Sequence, residues 1–199
     1  MIKNILKTKT GFTIIETMIS IALFTVIVTI GMNSLLNASA VHQKSQDQRS
    51  IMDSLSFIME DMSRNLRTGK DFNCTTASSP NAGDPAQSCM GGARTLIFTN
   101  QDGSKWAYQF ISNGTGYDIY KSKDGLLTSS MLNPDSGSTS KIIFDSSSGF
   151  FVTGAEPYVS GGINQQPLAT IILSGKIVYK NTDTKFSLQT TISQRVLDN

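Results

Sequence analysis

The sequence predicts an α+β protein: a long N-terminal helix, membrane-spanning in its first half, packed on an antiparallel β-sheet head. Three observations predict it. Residues 12–36 are apolar and carry one charge, Glu16. From Val41 to Thr68 no proline or glycine interrupts the chain, and apolar residues recur there at helical spacing. From Arg94 onward, short apolar and alternating segments are separated by turn dipeptides.

Residues 1–11 form a basic leader, with Lys3, Lys7 and Lys9 and no acid. The whole chain of 199 residues has a formal charge of +2. Without the leader, which holds three of the seventeen basic residues, fourteen bases face fifteen acids, a charge of −1. The basic balance therefore belongs to the leader and is poor support for a nucleic-acid partner. The apolar run 12–36 would cross a bilayer with some tilt, at ~1.5 Å per helical residue. Lysines on its N-terminal side place that end in the cytoplasm and the remainder outside it. Cys74 and Cys89 then fall where a disulfide can persist.

A secretory signal peptide is the plain reading, and Ala38–Ser39–Ala40 offers an A-x-A-like site. The apolar run is longer than the ~7–15 residues of a signal's apolar region, and Glu16 fits such a region badly. A simple signal anchor explains the lysines and the length, but neither Gly11–Phe12 nor the acid.

The segment "KTGFTIIETMISIALF" resembles the N-terminus of type IV pilin-like proteins. In that family a basic leader ends in glycine, and a membrane-embedded prepilin peptidase cuts after it. The new amine, usually on phenylalanine, is methylated, and a glutamate stands fifth in the mature chain ahead of an apolar helix. The resemblance implies cleavage between Gly11 and Phe12, N-methylation of Phe12, and a register role for Glu16. Glu16 would lie on the same helix face as the new amine, four residues on. An acid in hydrocarbon costs a few kcal/mol or more at mid-depth and wants a cationic partner. In the family that partner is the N-terminal amine of a neighbouring subunit. The plainer role is a carboxylate near the interface that reaches headgroups.

The polar stretch Ser39–Ser50 reads as an exposed stalk, with Gly31 a candidate flexible point. Ile51, Leu55, Ile58, Met59, Met62 and Leu66 form a stripe that should cover the head, making residues 37–68 an amphipathic continuation of the helix. Met52 is read with Met59 and Met62 as a packing residue. Gly69 is the expected residue just past the helix end, with Arg64 and Arg67 favouring the dipole. His42, the single histidine, is read as an exposed helix residue.

Residues 69–93 read as a cysteine loop. Pro80, Pro85 and several glycines argue against regular structure there. A Cys74–Cys89 bond would contribute roughly 3 kcal/mol for a loop of this size. A metal site competes but lacks C-x-x-C spacing and neighbouring histidines; free thiols are the third reading.

Residues 94–199 read as a β-rich extracytoplasmic head. The strands are "RTLIFT", "KWAYQFI", "YDIYKS", "LLTS", "KIIFD", "FFVTG", "ATIILSGKIVYK" and "KFSLQTTISQRV", with turns at Asp102–Gly103 and Asp124–Gly125. In the last strand Phe186, Leu188, Thr190 and Ile192 share one face. A helix, a cysteine loop and many short strands resemble the J-type minor pseudopilins of type II secretion and related minor pilins.

No catalytic set is legible. The histidine lacks a Ser–Asp pair, and "SNGTGYD" holds glycines with no following helix. Asp102, Asp118, Asp124 and Asp135 are explained by turn chemistry, and "DSGSTS" lacks an EF-hand ligand order. Trp106, Tyr108, Tyr117 and Tyr120 are read as packing residues before a binding strip. The chain is expected to be a structural subunit of a pilus or pseudopilus and no enzyme, with no cofactor or metal. The implied partners are a prepilin peptidase, other pilin subunits, an inner-membrane assembly platform and membrane lipid. A pilus-displayed binding module for DNA uptake or adhesion, and a secreted β-rich protein cleaved after Ala40, are the alternatives.

Overall fold

The structure is a computed structural model that describes residues 11–75, 83–124, 129–133, 140–157, 166–179 and 182–195. The expectations for Lys3, Lys7, Lys9, Pro80, Gly125, Asp135, "DSGSTS" up to Thr139 and most of "LLTS" lie outside the described residues. The chain divides into two compact units, residues 1–46 and 47–199.

One helix, α1 (Ile14–Thr68), contributes to both. Its sequence lacks proline, and it runs unbroken through Gly31 and the polar stretch Ser39–Ser50. In the first unit every residue from Gly11 to Gln43 is exposed. In the second unit α1 buries Ile51, Leu55, Ile58, Met59, Met62 and Leu66, the stripe that the periodicity marks out. Met52 is the exception: it is exposed, because its position points away from that stripe. The helix end also differs from expectation. Gly69 donates its N–H to Leu66 O at 3.2 Å, a tight i→i+3 closure, and its φ is not left-handed. Glycine is needed there for space, since a Cβ would run into the Phe98 ring.

Among the described residues ten strands follow: β1 (Lys70–Thr75), β2 (Cys89–Ala93), β3 (Thr95–Thr99), β4 (Lys105–Ser112), β5 (Tyr117–Ser122), β6 (Ser129–Met131), β7 (Ser140–Phe144), β8 (Gly149–Thr153), β9 (Leu168–Tyr179) and β10 (Thr182–Ser193). They form one antiparallel sheet in the order β1-β3-β4-β5-β7-β9-β8-β2, with β10 added to β9 and β6 to β5. With α1 on it, the head is α+β, as the sequence predicts.

Residues 69–93 are not wholly irregular. β1 pairs with β3, and β2 with β8. The prolines fall between the two strands, so they do not interrupt either ladder. Both pairings slip in register, β1 between Lys70 and Asn73 and β2 between Cys89 and Ala93. Each slip holds a positive-φ residue, Asp71 (φ 55°) or Gly92 (φ 81°). The Cys74–Cys89 disulfide, 5.6 Å between Cα atoms, joins these two end strands, so the strand path curls back on itself.

β7 and β8 lie end to end along β9, in register at Phe144↔Gly175 and Gly149↔Ile172. Asp145–Ser148 bulges out between them. Ser148 Oγ donates to Ser174 O (2.7 Å), and Ser174 Oγ donates to Asp145 Oδ2 (3.1 Å). The core is aromatic: Phe98 stacks on Tyr108 at 5.9 Å, and Phe110 meets Phe150 at 5.2 Å.

Candidate assembly segment

The chain from Gly11 to Thr13 is non-helical, and Thr13 caps α1. Its Oγ1 accepts the N–H of Glu16 at 3.3 Å, and its carbonyl accepts Thr17 N–H at 3.2 Å. Glu16 is thus the third helical residue. Thr13-Ile14-Ile15-Glu16 is a capping-box sequence, a signal that the reading of Glu16 alone passed over. A carboxylate in the first turn also sits well in the helix dipole. Phe12 precedes the helix, so the four-residue, same-face relation between Phe12 and Glu16 is not formed in this structure.

Gly11 and Phe12 are open to an incoming molecule. Among the described residues nothing lies within 4 Å of a Cβ built on Gly11, and Phe12 is 81% exposed. Beyond them α1 is long and apolar enough to cross a membrane once. Threonine hydroxyls in it bond to the helix's own carbonyls: Thr17 donates to Ile14 O and Thr29 to Thr25 O, both at 2.7 Å. Such bonds leave fewer polar groups to be solvated in hydrocarbon. Ala38–Ser39–Ala40 lies inside the same helix, flanked by helical turns on both sides.

The remaining sequence candidates are structural in their surroundings. His42 is exposed on α1. Tyr108 is fully buried; its hydroxyl donates to Asp61 Oδ2 (3.1 Å) and accepts from Asn65 Nδ2 (2.8 Å). Burial, then the Asp61 charge, pushes the Tyr108 hydroxyl well above the usual tyrosine range. Lys121 Nζ completes the cluster, 2.7 Å from Asp61 Oδ2 and 4.9 Å from the Trp106 ring centre. This polar group ties α1 to β4 and β5. Tyr117 is half-buried under the Arg94 guanidinium at 3.8 Å, and Tyr120 is half-buried on β5.

Asp118 corrects the turn assignment: it is buried in β5. Its Oδ1 accepts Asn113 Nδ2 (2.9 Å) and Asn133 Nδ2 (2.6 Å), which pins the β4–β5 turn to the exit of β6. Asp102 keeps its turn role, with its carboxyl held below the usual range by the Ser104 hydroxyl. Among the described residues no group of three His, Cys, Asp or Glu side chains could hold a metal ion. The Cys74–Cys89 disulfide, preferred from the sequence over a metal site or free thiols, is formed.

No family model, curated protein or solved structure matches the chain.

Proposed function

We propose that this chain is a minor pilin or pseudopilin, a structural subunit of a type IV pilus or type II secretion pseudopilus. The observation that carries this reading is the accessible Gly11–Phe12 junction, directly before a capped helix with Glu16 in its first turn and an exposed apolar surface behind it. A peptidase needs an extended, reachable substrate, and residues 11–13 are outside the helix. The alternative site at Ala40 lies within helical backbone, a poor substrate conformation.

In this reading a prepilin peptidase cuts after Gly11 and Phe12 is N-methylated. The apolar half of α1 then resides in the inner membrane, N-terminus cytoplasmic and head outside, until an assembly platform passes the subunit into a filament. There the exposed apolar surface of α1 meets the helices of neighbouring subunits, and hydrophobic burial favours the transfer. Glu16 pairs with a neighbour's N-terminal amine and sets the axial register. The head contributes contacts and no chemistry.

Intact-mass measurement and N-terminal sequencing of the protein from its host membranes test the reading. The expected product starts at Phe12 with one added methyl group. A product starting at Val41, made equally well from Gly11→Ala, would replace the filament reading with secretion.

A further inference from the structure

We propose that the free edge of β10 is a docking site for an extended segment of another polypeptide, one that alternates acidic with apolar residues. The inference does not depend on the filament reading.

Among the described residues β10 pairs with β9 alone, over twelve register pairs without a slip. Its other edge therefore presents backbone N–H and C=O groups that an incoming strand can bond. The other end strands are blunted. β1 slips at Asp71, β2 is five residues long and slips before Ala93, and both are tied to each other by the disulfide. β10 has twelve residues, no proline and no positive φ. The hydrogen bonds between α1 and the β10 segment lie at its two ends, Gln48 to Thr184 and Arg195 N–H to Arg67 O.

The side chains specify the partner. On the outer face Lys185 stands directly opposite Lys176, a like-charge pair that opposes sheet stability. Lys176 is neutralised by Asp183 at 2.7 Å, whereas Lys185 has no hydrogen-bond or ion-pair partner among the described residues. On the inner face Leu188 is half-buried beside buried Phe186. A strand added to β10 would place alternate residues on these two faces. Acidic residues would stand beside Lys185, and apolar ones would cover Leu188. Lysine on an edge discourages non-specific pairing, and an acidic partner converts the same charge into selectivity.

The test uses the full chain in detergent micelles and labelled short peptides alternating glutamate with valine or lysine with valine. Fluorescence anisotropy should show the glutamate peptide bound roughly five- to tenfold more tightly than the lysine peptide. Lys185→Glu should reverse the order. Hydrogen exchange should show new protection of β10 amides on binding. Absence of binding, equal affinity for the two peptides, an order unchanged in Lys185→Glu, or binding without protection in β10 would each overturn the proposal.

Discussion

Phe144 and Phe186 meet edge to face above Gly175, with 5.9 Å between their ring centres. The three residues stand in register on β7, β9 and β10, so all three point to the core face. Glycine in a strand leaves a gap, and here two rings from the flanking strands close over it.

A Cβ at position 175 would strike Ile143 O and Phe144 Cα, both backbone atoms that cannot swing aside. Gly175→Ala should therefore lower stability by about 1–3 kcal/mol, read as a fall of several degrees in Tm. Phe186→Ala should cost about 3–5 kcal/mol by opening a cavity beside Phe144. A Gly175→Ala protein that melts with wild type would show that these strands have slack.

The disulfide should matter most to the two strands that it joins. Cys74 and Cys89 are separated by 15 residues, and removing the bond should cost roughly 3 kcal/mol in the chain-entropy picture. Both strands have broken register, so their ladders give little support alone. Hydrogen exchange on reduced protein should show β1 and β2 losing protection before β9. Uniform loss across the sheet would mean that the bond staples the whole head.

These two strands are also where sequence reading fell short. "KDFNCT" carries a kink at Asp71, and "CMGGA" has neither alternation nor β-branched residues, so period-two patterning has nothing to detect. Their pairing is imposed by contacts distant in sequence and by a covalent bond. "TLIFT" and "KFSLQTTIS", by contrast, announce themselves by apolar content and alternation. The stripe from Ile51 to Leu66 was legible for the same reason: its spacing is a property of one helix. Met52 shows the limit, since an apolar residue one step off the stripe faces water. At the candidate assembly segment the residues were readable, but the helix start at Ile14, which leaves Phe12 outside, depends on the Thr13 cap. An unpaired edge such as that of β10 is a property of topology and has no local signature.

Alkaline pH should unfold the head partly through Tyr108. Its folded pKa is raised above the unfolded value of about 10. Its contribution is therefore fully present below pH ~10 and is lost as pH rises from there towards the folded value. Tyr108→Phe should lower stability at neutral pH by about 1 kcal/mol, through the lost bonds to Asp61 and Asn65. It should also flatten the decline above pH 10. Denaturant titrations of both proteins at pH 8 and above would reveal this. Parallel curves would assign the alkaline loss to other groups.

A fragment starting at Asp47 should fold, because the second unit retains the whole buried stripe of α1. A fragment starting at Arg67 loses five core residues from Ile51 to Met62, together with Leu66, and uncovers the aromatic face around Phe98 and Tyr108. It should aggregate. Light scattering and circular dichroism of the two fragments decide the matter. A monodisperse, cooperatively melting fragment from Arg67 would make the helix dispensable to the core.

Two roles can be assigned to Glu16, starting the helix and, in the filament reading, setting register, and one pair of variants separates them. At the third helical position it occupies the place of the acid in a capping-box sequence, one that glutamine fills nearly as well as glutamate. In the filament reading it also supplies charge to a neighbour's amine, which glutamine cannot. Both substitutions lie in the first unit, outside the residues that form the head's core, and losing a charge eases membrane insertion. Glu16→Gln and Glu16→Ala should therefore both show normal protein levels and normal cleavage after Gly11. If the charge sets register, both should co-purify poorly with partner subunits. If Glu16 serves only to start the helix, Glu16→Gln should co-purify like wild type while Glu16→Ala is impaired. That second pattern would remove the register role and leave the cap.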